Sequence, residues 1–235
     1  INVALVFVTG GSRGLGFETA KTLKNLGHEV VLFAKNQEKL KAAAFQLSAP
    51  FELVDLEDIS QTREVFSKAI SKYGVPEILM LAHGVMSDRM AKTLKTTDAE
   101  WKRVMTINLD SVFTIVNEVG SKMAEARNGR MIIYSACLGR MSGPGNAGGL
   151  APYRISKAGV NALVRNLAHE TGHGARGLWV DAICPNHSRT DMGGENAPRS
   201  AEEGAATAVW LATRELVSGI TQTGLLWEDN EVVPW

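Results

Sequence analysis

Val3-Ala4-Leu5-Val6-Phe7-Val8-Thr9-Gly10-Gly11-Ser12-Arg13-Gly14-Leu15-Gly16 runs from an apolar, β-branched stretch straight into a glycine-rich turn. The apolar run is too short to span a membrane and has no basic flank or cleavage site, so it reads as a first buried strand. Glycines at 10, 14 and 16 let the backbone approach a phosphate closely, while the amides opening the next helix donate to it. The spacing Gly-x-x-x-Gly-x-Gly also fits an ordinary strand-to-helix turn. Its place after the first strand and before a helix favours the dinucleotide reading.

Working outward, short apolar runs alternate with helical stretches, which is the pattern of a parallel sheet with crossover helices. The strands expected are Val3–Val8, Glu29–Phe33, Phe51–Val54, Glu77–Leu81, Arg130–Tyr134, Leu178–Ile183 and one near Gly224–Trp227. The expectation is an α/β, doubly wound parallel sheet of about seven strands with helices on both faces, in one catalytic domain over 1–235. Two segments escape the alternation and read as loops near the active end of the sheet: Gly139–Gly149 and Pro185–Arg199. A long helix from Asp98 to Met123 carries an apolar stripe that includes Trp101, Val104, Val112, Ile115 and Val119. Asn108 falls inside that stripe, so it is either satisfied locally in the core or part of a polar network at a site.

The chemistry-bearing residues lie further along. Tyr153 and Lys157 are one helical turn apart, on the face that carries Val160, Val164 and Leu167, which points them into the protein. Of the three tyrosines only Tyr153 has Lys at position +4. In isolation the pair reads as a surface contact. A phenol titrates near about 10, so its use as a proton shuttle near neutrality calls for such a cation. Ser135 closes the fifth strand, where it reads as a turn residue or as a hydrogen-bonding partner for a reacting carbonyl. The second strand ends Phe33-Ala34-Lys35-Asn36 with no acid for a ribose 2′-hydroxyl. Lys35 and Arg13 together suit a 2′-phosphate, favouring NADPH over NADH; as plain surface cations they would mean nothing. Asp55, ending the third strand, reads either as a partner for the adenine amino group or as the cap of a helix beginning near Ser60.

Bulk properties narrow the classes. The chain has 235 residues, with Lys plus Arg and Asp plus Glu both 25, so it carries no basic surface for nucleic acid or anionic lipid. A small-molecule partner fits better, with no nucleic acid and no membrane. Cys137 and Cys184 are far apart with no paired spacing, which argues against a disulfide scaffold or a cysteine zinc site and suits a reducing compartment. The expected location is cytoplasmic. The first residue is not Met, so residues preceding it are expected to have been lost or trimmed. Asn186-His187-Ser188 fits a glycosylation sequon that carries little weight without a secretion signal.

Taken in order, Thr9-Gly10-x-x-x-Gly14-x-Gly16, Asn108, Ser135, Tyr153-x-x-x-Lys157 and Pro185 to Thr190 resemble the short-chain dehydrogenase/reductase family over nearly the whole chain. Ala151–Lys157 and Thr190–Gly194 further resemble its NADPH-dependent carbonyl reductases. The resemblance implies a Rossmann-like fold and an oxidoreductase passing hydride between NADP(H) and a ketone or aldehyde carbonyl. It implies Tyr153 as general acid, Lys157 holding the nicotinamide ribose and lowering the tyrosine's pKa, Ser135 orienting the carbonyl and Asn108 supporting a relay water. The cofactor set expected from pattern and resemblance together is Gly10, Ser12, Arg13, Gly14, Leu15, Gly16, Lys35, Asn36, Asp55, Leu56, Gly84, Tyr153, Lys157, Pro185 and Thr190, with Thr190 and the backbone near Pro185 holding the carboxamide. It also implies pairing into a homodimer or homotetramer through the 98–123 and 153–170 helices.

The chain departs from the commoner family sequence in three places. Leu81-Ala82-His83-Gly84 stands where Asn-Asn-Ala-Gly is usual, Asn186 where a glycine follows the proline, and the Ser135–Tyr153 segment is long, with five glycines. Little chain separates Thr190 from the helix near Ala201, which predicts an open site accepting bulky carbonyls. Rival readings are a 3-oxoacyl thioester reductase of the same family and a non-catalytic NADP(H)-binding sensor. His169-Glu170-Thr171-Gly172-His173 fits a zinc-peptidase pattern, but its glycines suggest a fraying helix end and no third ligand is evident, so no metal is expected.

Overall fold

In the computed structural model, the structure describes residues 2–88, 91–143 and 147–235. The first half alternates β1 (Leu5–Thr9), α1 (Gly14–Asn25), β2 (Glu29–Ala34), α2 (Gln37–Leu47), β3 (Phe51–Leu53), α3 (Ile59–Tyr73) and β4 (Ile78–Leu81). The second half has α4 (98–126), β5 (Gly129–Tyr134), α5 (Ala151–Glu170), β6 (Leu178–Ile183), α6 (Ala201–Thr213), β7 (Leu226–Glu228) and β8 (Glu231–Val233). All strands join one sheet in the order β3-β2-β1-β4-β5-β6-β7-β8. Every neighbouring pair is parallel except β7 with β8.

The pleat of the central strands explains the layers. Along β1, Phe7 points to one face and Val6 and Val8 to the other, all fully buried. Phe7 packs with Phe33, Phe66 of α3, and Ile115 and Val119 of α4, in a core that also takes Val160 and Val164 of α5. Val6 and Val8 belong to a second core with Leu23 of α1, Leu40 of α2 and Leu211 of α6. Burial on both faces is why these strands read as continuous apolar runs. The chain winds outward from β1 to β3, then returns through β4 on β1's other side. A crevice therefore opens between β1 and β4 at the carboxyl ends of the strands, where doubly wound sheets take their ligands.

Four particulars differ from the sequence reading. The helix at Asp98 runs on to Ala126 and contains two wide π-helical turns, Thr106–Asp110 and Val116–Gly120; the first carries Asn108. An eighth strand forms because Asp229 and Asn230, at φ 52 and 63, make the two-residue turn of a tight hairpin. Asp58 caps α3 by accepting from Gln61 N at 2.9 Å, leaving Asp55 free of that task. Finally, Cys137 and Cys184 form a disulfide with Cα atoms 5.6 Å apart, correcting the reading of them as unpaired. They are distant in sequence but stand just beyond the paired ends of the neighbouring strands β5 and β6.

Candidate active site

A cavity of about 1180 Å³ fills the crevice, and its walls include every residue named from the sequence as catalytic or cofactor-binding except Asn108. The glycine turn forms one wall. Gly10 has φ +64, and a side chain there would press on the backbone of Ala82 and His83, while one on Gly16 would collide with the Gly10 carbonyl. The N-cap of α1, Arg13, makes no side-chain cap bond, whereas α2, α3 and α6 are capped by Asn36, Asp58 and Ser200. The first amides of α1 thus stand unclaimed by any cap beside a surface stripped of side chains, a setting suited to a phosphate.

The floor is buried. α5 starts at Ala151, whose N–H donates to Ala91 O at 2.9 Å, with Pro152 in its first turn. This start sets Tyr153 (6% exposed) and Lys157 (4% exposed) side by side at the cavity. Lys157 Nζ donates to Tyr134 O at 2.9 Å and lies 5.9 Å from the Tyr153 ring centre. Burial pushes the Tyr153 phenol up to about 12 and pulls the Lys157 ammonium down to about 8. Desolvation of the phenolate sets the direction for the tyrosine.

Ser135 Oγ donates to Asn161 Oδ1 at 2.5 Å, and Asn161 Nδ2 donates to Gly139 O at 3.3 Å. Asn161 escaped the sequence reading. The signal was present, since it falls one turn after Lys157 on the same face of α5. Asn108 is fully buried, accepting from Val85 N at 2.8 Å and donating to Val85 O at 2.9 Å and Ser156 Oγ at 3.1 Å. It lies behind the cavity lining with its amide satisfied by these partners, anchoring the segment after β4.

The outer rim is charged and wet. Lys35 Nζ pairs with Asp55 Oδ2 at 2.8 Å, and Arg13 pairs with Asp191 across the mouth of the cavity. Burial draws the Asp55 carboxyl upward, but hydrogen bonds from Lys35 and from Glu57 N hold it below the ordinary carboxylate value. Both expected phosphate ligands are thus occupied by acids. Thr190 sits next to Asp191, in a segment that folds back on itself through Arg189 N–H donating to Arg199 O at 2.7 Å. Of the glycine-rich segment Gly139–Gly149, residues 144–146 lie outside the described residues, and the described remainder does not line the cavity. His169, in the last turn of α5, and His173, three residues past its end at Glu170 and at φ 47, pack edge to face at 4.3 Å.

Residues 4–201 match the family described as short chain dehydrogenase. The chain belongs to that family. Two relatives, both 3-oxoacyl-[acyl-carrier-protein] reductases, come from Rickettsia prowazekii and Escherichia coli K12. The first is 33% identical over 187 residues, 79% of this chain and 73% of the relative. The second is 32% identical over 190 residues, 80% and 75%. A crystal structure described as ribose-5-phosphate isomerase from Brucella melitensis 16M is 26% identical, covers 96% of this chain and 90% of that one, and superposes with a TM-score of 0.83.

Two departures from the commoner short-chain dehydrogenase sequence have a structural account. His83 is buried with Nδ1 2.7 Å from Thr9 Oγ1 and Nε2 2.9 Å from Ser111 Oγ. Ser111 already donates its only hydroxyl proton to Ile107 O at 2.6 Å, so Nε2–H donates to Ser111 and Nδ1 accepts from Thr9. Burial, then the nearby Lys157 charge, lowers His83 to about 3, so the ring is neutral. The imidazole links the ends of β1 and β4 to α4, keeping a polar connection that the missing asparagine left in doubt. Asn186 has φ +58, a left-handed conformation that Asn tolerates better than most side chains.

Proposed function

We propose that this protein transfers hydride between NADP(H) and the carbonyl of a ketone or aldehyde, reversibly to the alcohol. The observation that carries the reading is the meeting of Tyr153, Lys157 and Ser135 with the glycine turn around one cavity. The side-chain-free turn and the uncapped start of α1 fit a pyrophosphate, held by Gly10, Ser12, Gly14, Leu15 and Gly16. Arg13 and Lys35 exchange their acid partners for the 2′-phosphate; both pairs are more than half exposed on the cation side, so breaking them costs little. Asn36, Asp55, Leu56 and Gly84 line the adenosine side, and Pro185 and Thr190 the nicotinamide side. Bound NADPH supplies the hydride.

Tyr153 does the proton chemistry. Its raised pKa keeps the phenol protonated at neutral pH, ready to donate to the carbonyl oxygen during reduction. Lys157, about 8, stays mostly an ammonium at neutrality and stabilises the phenolate left behind. Ser135, turned onto Asn161 here, has only to rotate its hydroxyl to meet the carbonyl oxygen. Asn108 holds the backbone at Val85 where a relay water would pass. The exposed faces of Trp101 and Phe113 on α4 and Ile155 on α5 support pairing through these helices.

A second reading, reduction of 3-oxoacyl thioesters, is favoured by the names of the relatives. NADPH and NADH oxidation, followed at the nicotinamide absorbance against ketones, aldehydes, diketones and a 3-oxoacyl thioester, tests both. Turnover confined to the thioester selects the second reading. Tight NADPH binding with no turnover on any carbonyl removes both in favour of a sensor.

A further inference from the structure

We propose that Cys137 and Cys184 form a reversible thiol–disulfide site that ties the strand end carrying Ser135 to the one leading to Pro185, both at the cavity, and that it reacts with small disulfides and dithiols. The backbone ladder between β5 and β6 ends at Tyr134 and Ile183, with one last bond from Ser135 N–H to Ile183 O at 2.8 Å. Beyond that point the strands part, and Cys184 N–H turns to Trp227 O at 2.8 Å. The disulfide is the covalent tie across this fork. Cys137 lies two residues after Ser135 and opens the turn Cys137–Gly139. Cys184 directly precedes Pro185 and the wall that runs to Thr190.

The turn is also joined to the floor, because Gly139 O accepts from Asn161 Nδ2, which shares its side chain with Ser135. Opening the disulfide therefore loosens the Cys137–Gly139 turn and, through Asn161, the setting of Ser135. The glycine turn and the start of α1, proposed to take the phosphates, follow β1 in the other half of the sheet and touch the segment after Cys184 at the rim, where Arg13 pairs with Asp191. The consequence falls first on substrate affinity; cofactor affinity shifts less, since of the proposed cofactor contacts only Pro185 and Thr190 follow Cys184 in the chain.

Access favours exchange at one sulfur. Cys184 is 3% exposed, whereas Cys137 is only half-buried. The Cys137 thiolate attacks a small disulfide RSSR and releases one RS⁻, which takes a proton; the Cys184 thiolate then displaces the second RS⁻ from the mixed disulfide. Two thiols lose two electrons and two protons, and RSSR becomes two RSH. Glu228 Oε2, 3.5 Å from Cys137 Sγ, is placed to accept the thiol hydrogen of the reduced form. Its negative charge also disfavours the thiolate, so exchange is slow and the state of the pair persists once set.

The kinetic consequence rests on the carbonyl-reduction reading; the thiol chemistry does not. The test equilibrates the purified protein in reduced and oxidised glutathione mixtures, alkylates it with iodoacetamide and weighs it. Each sample is also digested by protease, with cuts mapped between Gly139 and Tyr153, and assayed for carbonyl KM and NADPH Kd. The expected result is one cooperative two-electron transition, faster cleavage after Gly139 in the reduced form, KM raised roughly three- to tenfold and NADPH Kd raised by a smaller factor. The melting temperature should fall by roughly 5–10 °C on reduction. C137S, and separately C137A with C184A, should behave as reduced wild type and ignore oxidant. Two alkylated thiols in fully oxidised buffer would overturn the site, and equal cleavage and KM in both forms would overturn its coupling to the cavity. Stoichiometric zinc on the reduced protein would overturn it too, by making Cys137, Cys184 and Glu228 metal ligands. If no carbonyl is turned over yet cleavage still follows the redox state, the site stands and the proposed activity fails.

Discussion

The rim and the floor of the same cavity treat charge in opposite ways. At the rim, Lys35 and Arg13 meet Asp55 and Asp191 in water, with the cation side chains 67% and 59% exposed. Such pairs are screened and contribute little to stability, so a ligand anion replaces an acid partner at small cost. On the floor, Tyr153, Lys157 and His83 are each less than a tenth exposed, and desolvation dominates all three: the phenol and the imidazole are held neutral and the ammonium is weakened. The rim can therefore exchange partners, while the floor holds its groups in set protonation states, poised for a proton transfer but intolerant of change.

If that contrast is right, substitutions on the floor cost far more than substitutions on the rim. Tyr153→Phe should lower kcat by about 10²- to 10⁴-fold with NADPH affinity nearly intact; stopped-flow turnover close to wild type would break the assignment. His83→Ala leaves Thr9 and Ser111 facing a hole and should cost about 2–4 kcal/mol in urea unfolding. A loss no larger than that of a surface variant would mean the imidazole is not structural. Arg13→Ala with Lys35→Ala should reduce the NADPH-over-NADH preference in kcat/KM by roughly 10- to 100-fold. An unchanged ratio refutes the 2′-phosphate site.

Two pH measurements sharpen the comparison. Lys157 is charged below about 8, so the reduction rate should hold through neutrality and fall by about tenfold per unit at higher pH. His83 has a folded pKa of about 3 against an ordinary 6.5, so the unfolded chain binds its proton first. Stability is full above 6.5 and is lost as pH falls towards 3, at up to about 1.4 kcal/mol per unit. Between pH 6.5 and 5, above most carboxylate titrations, His83→Asn should flatten the wild-type slope. Identical slopes would place the acid sensitivity elsewhere, His28 being the other histidine lowered by burial.

Much of the fold was readable because its signals are local. The glycine turn, the apolar runs of β1, β2, β4, β5 and β6, and Lys157 at one turn from Tyr153 each occupy a short stretch whose physics is self-contained. The small strand β8 was not readable, since its turn is Asp229-Asn230 without glycine and its strands are three residues each. Asn161 was legible only in hindsight, as a polar residue one turn beyond Lys157 whose partner, Ser135, comes from a different strand. The acids opposing Arg13 and Lys35 come from 178 and 20 residues away, and no spacing rule announces them.

By itself the sequence determined the α/β alternation, the family and the residues gathered at the cavity, because strand burial, helix periodicity and tight turns act over a few neighbouring residues. Only the tertiary structure decided that Cys137 and Cys184 meet, that His83 joins β1 and β4 to α4, and that burial sets Tyr153 and Lys157 against their ordinary pKa values. Those outcomes depend on which distant segments exclude water from one another, and desolvation belongs to the packed whole.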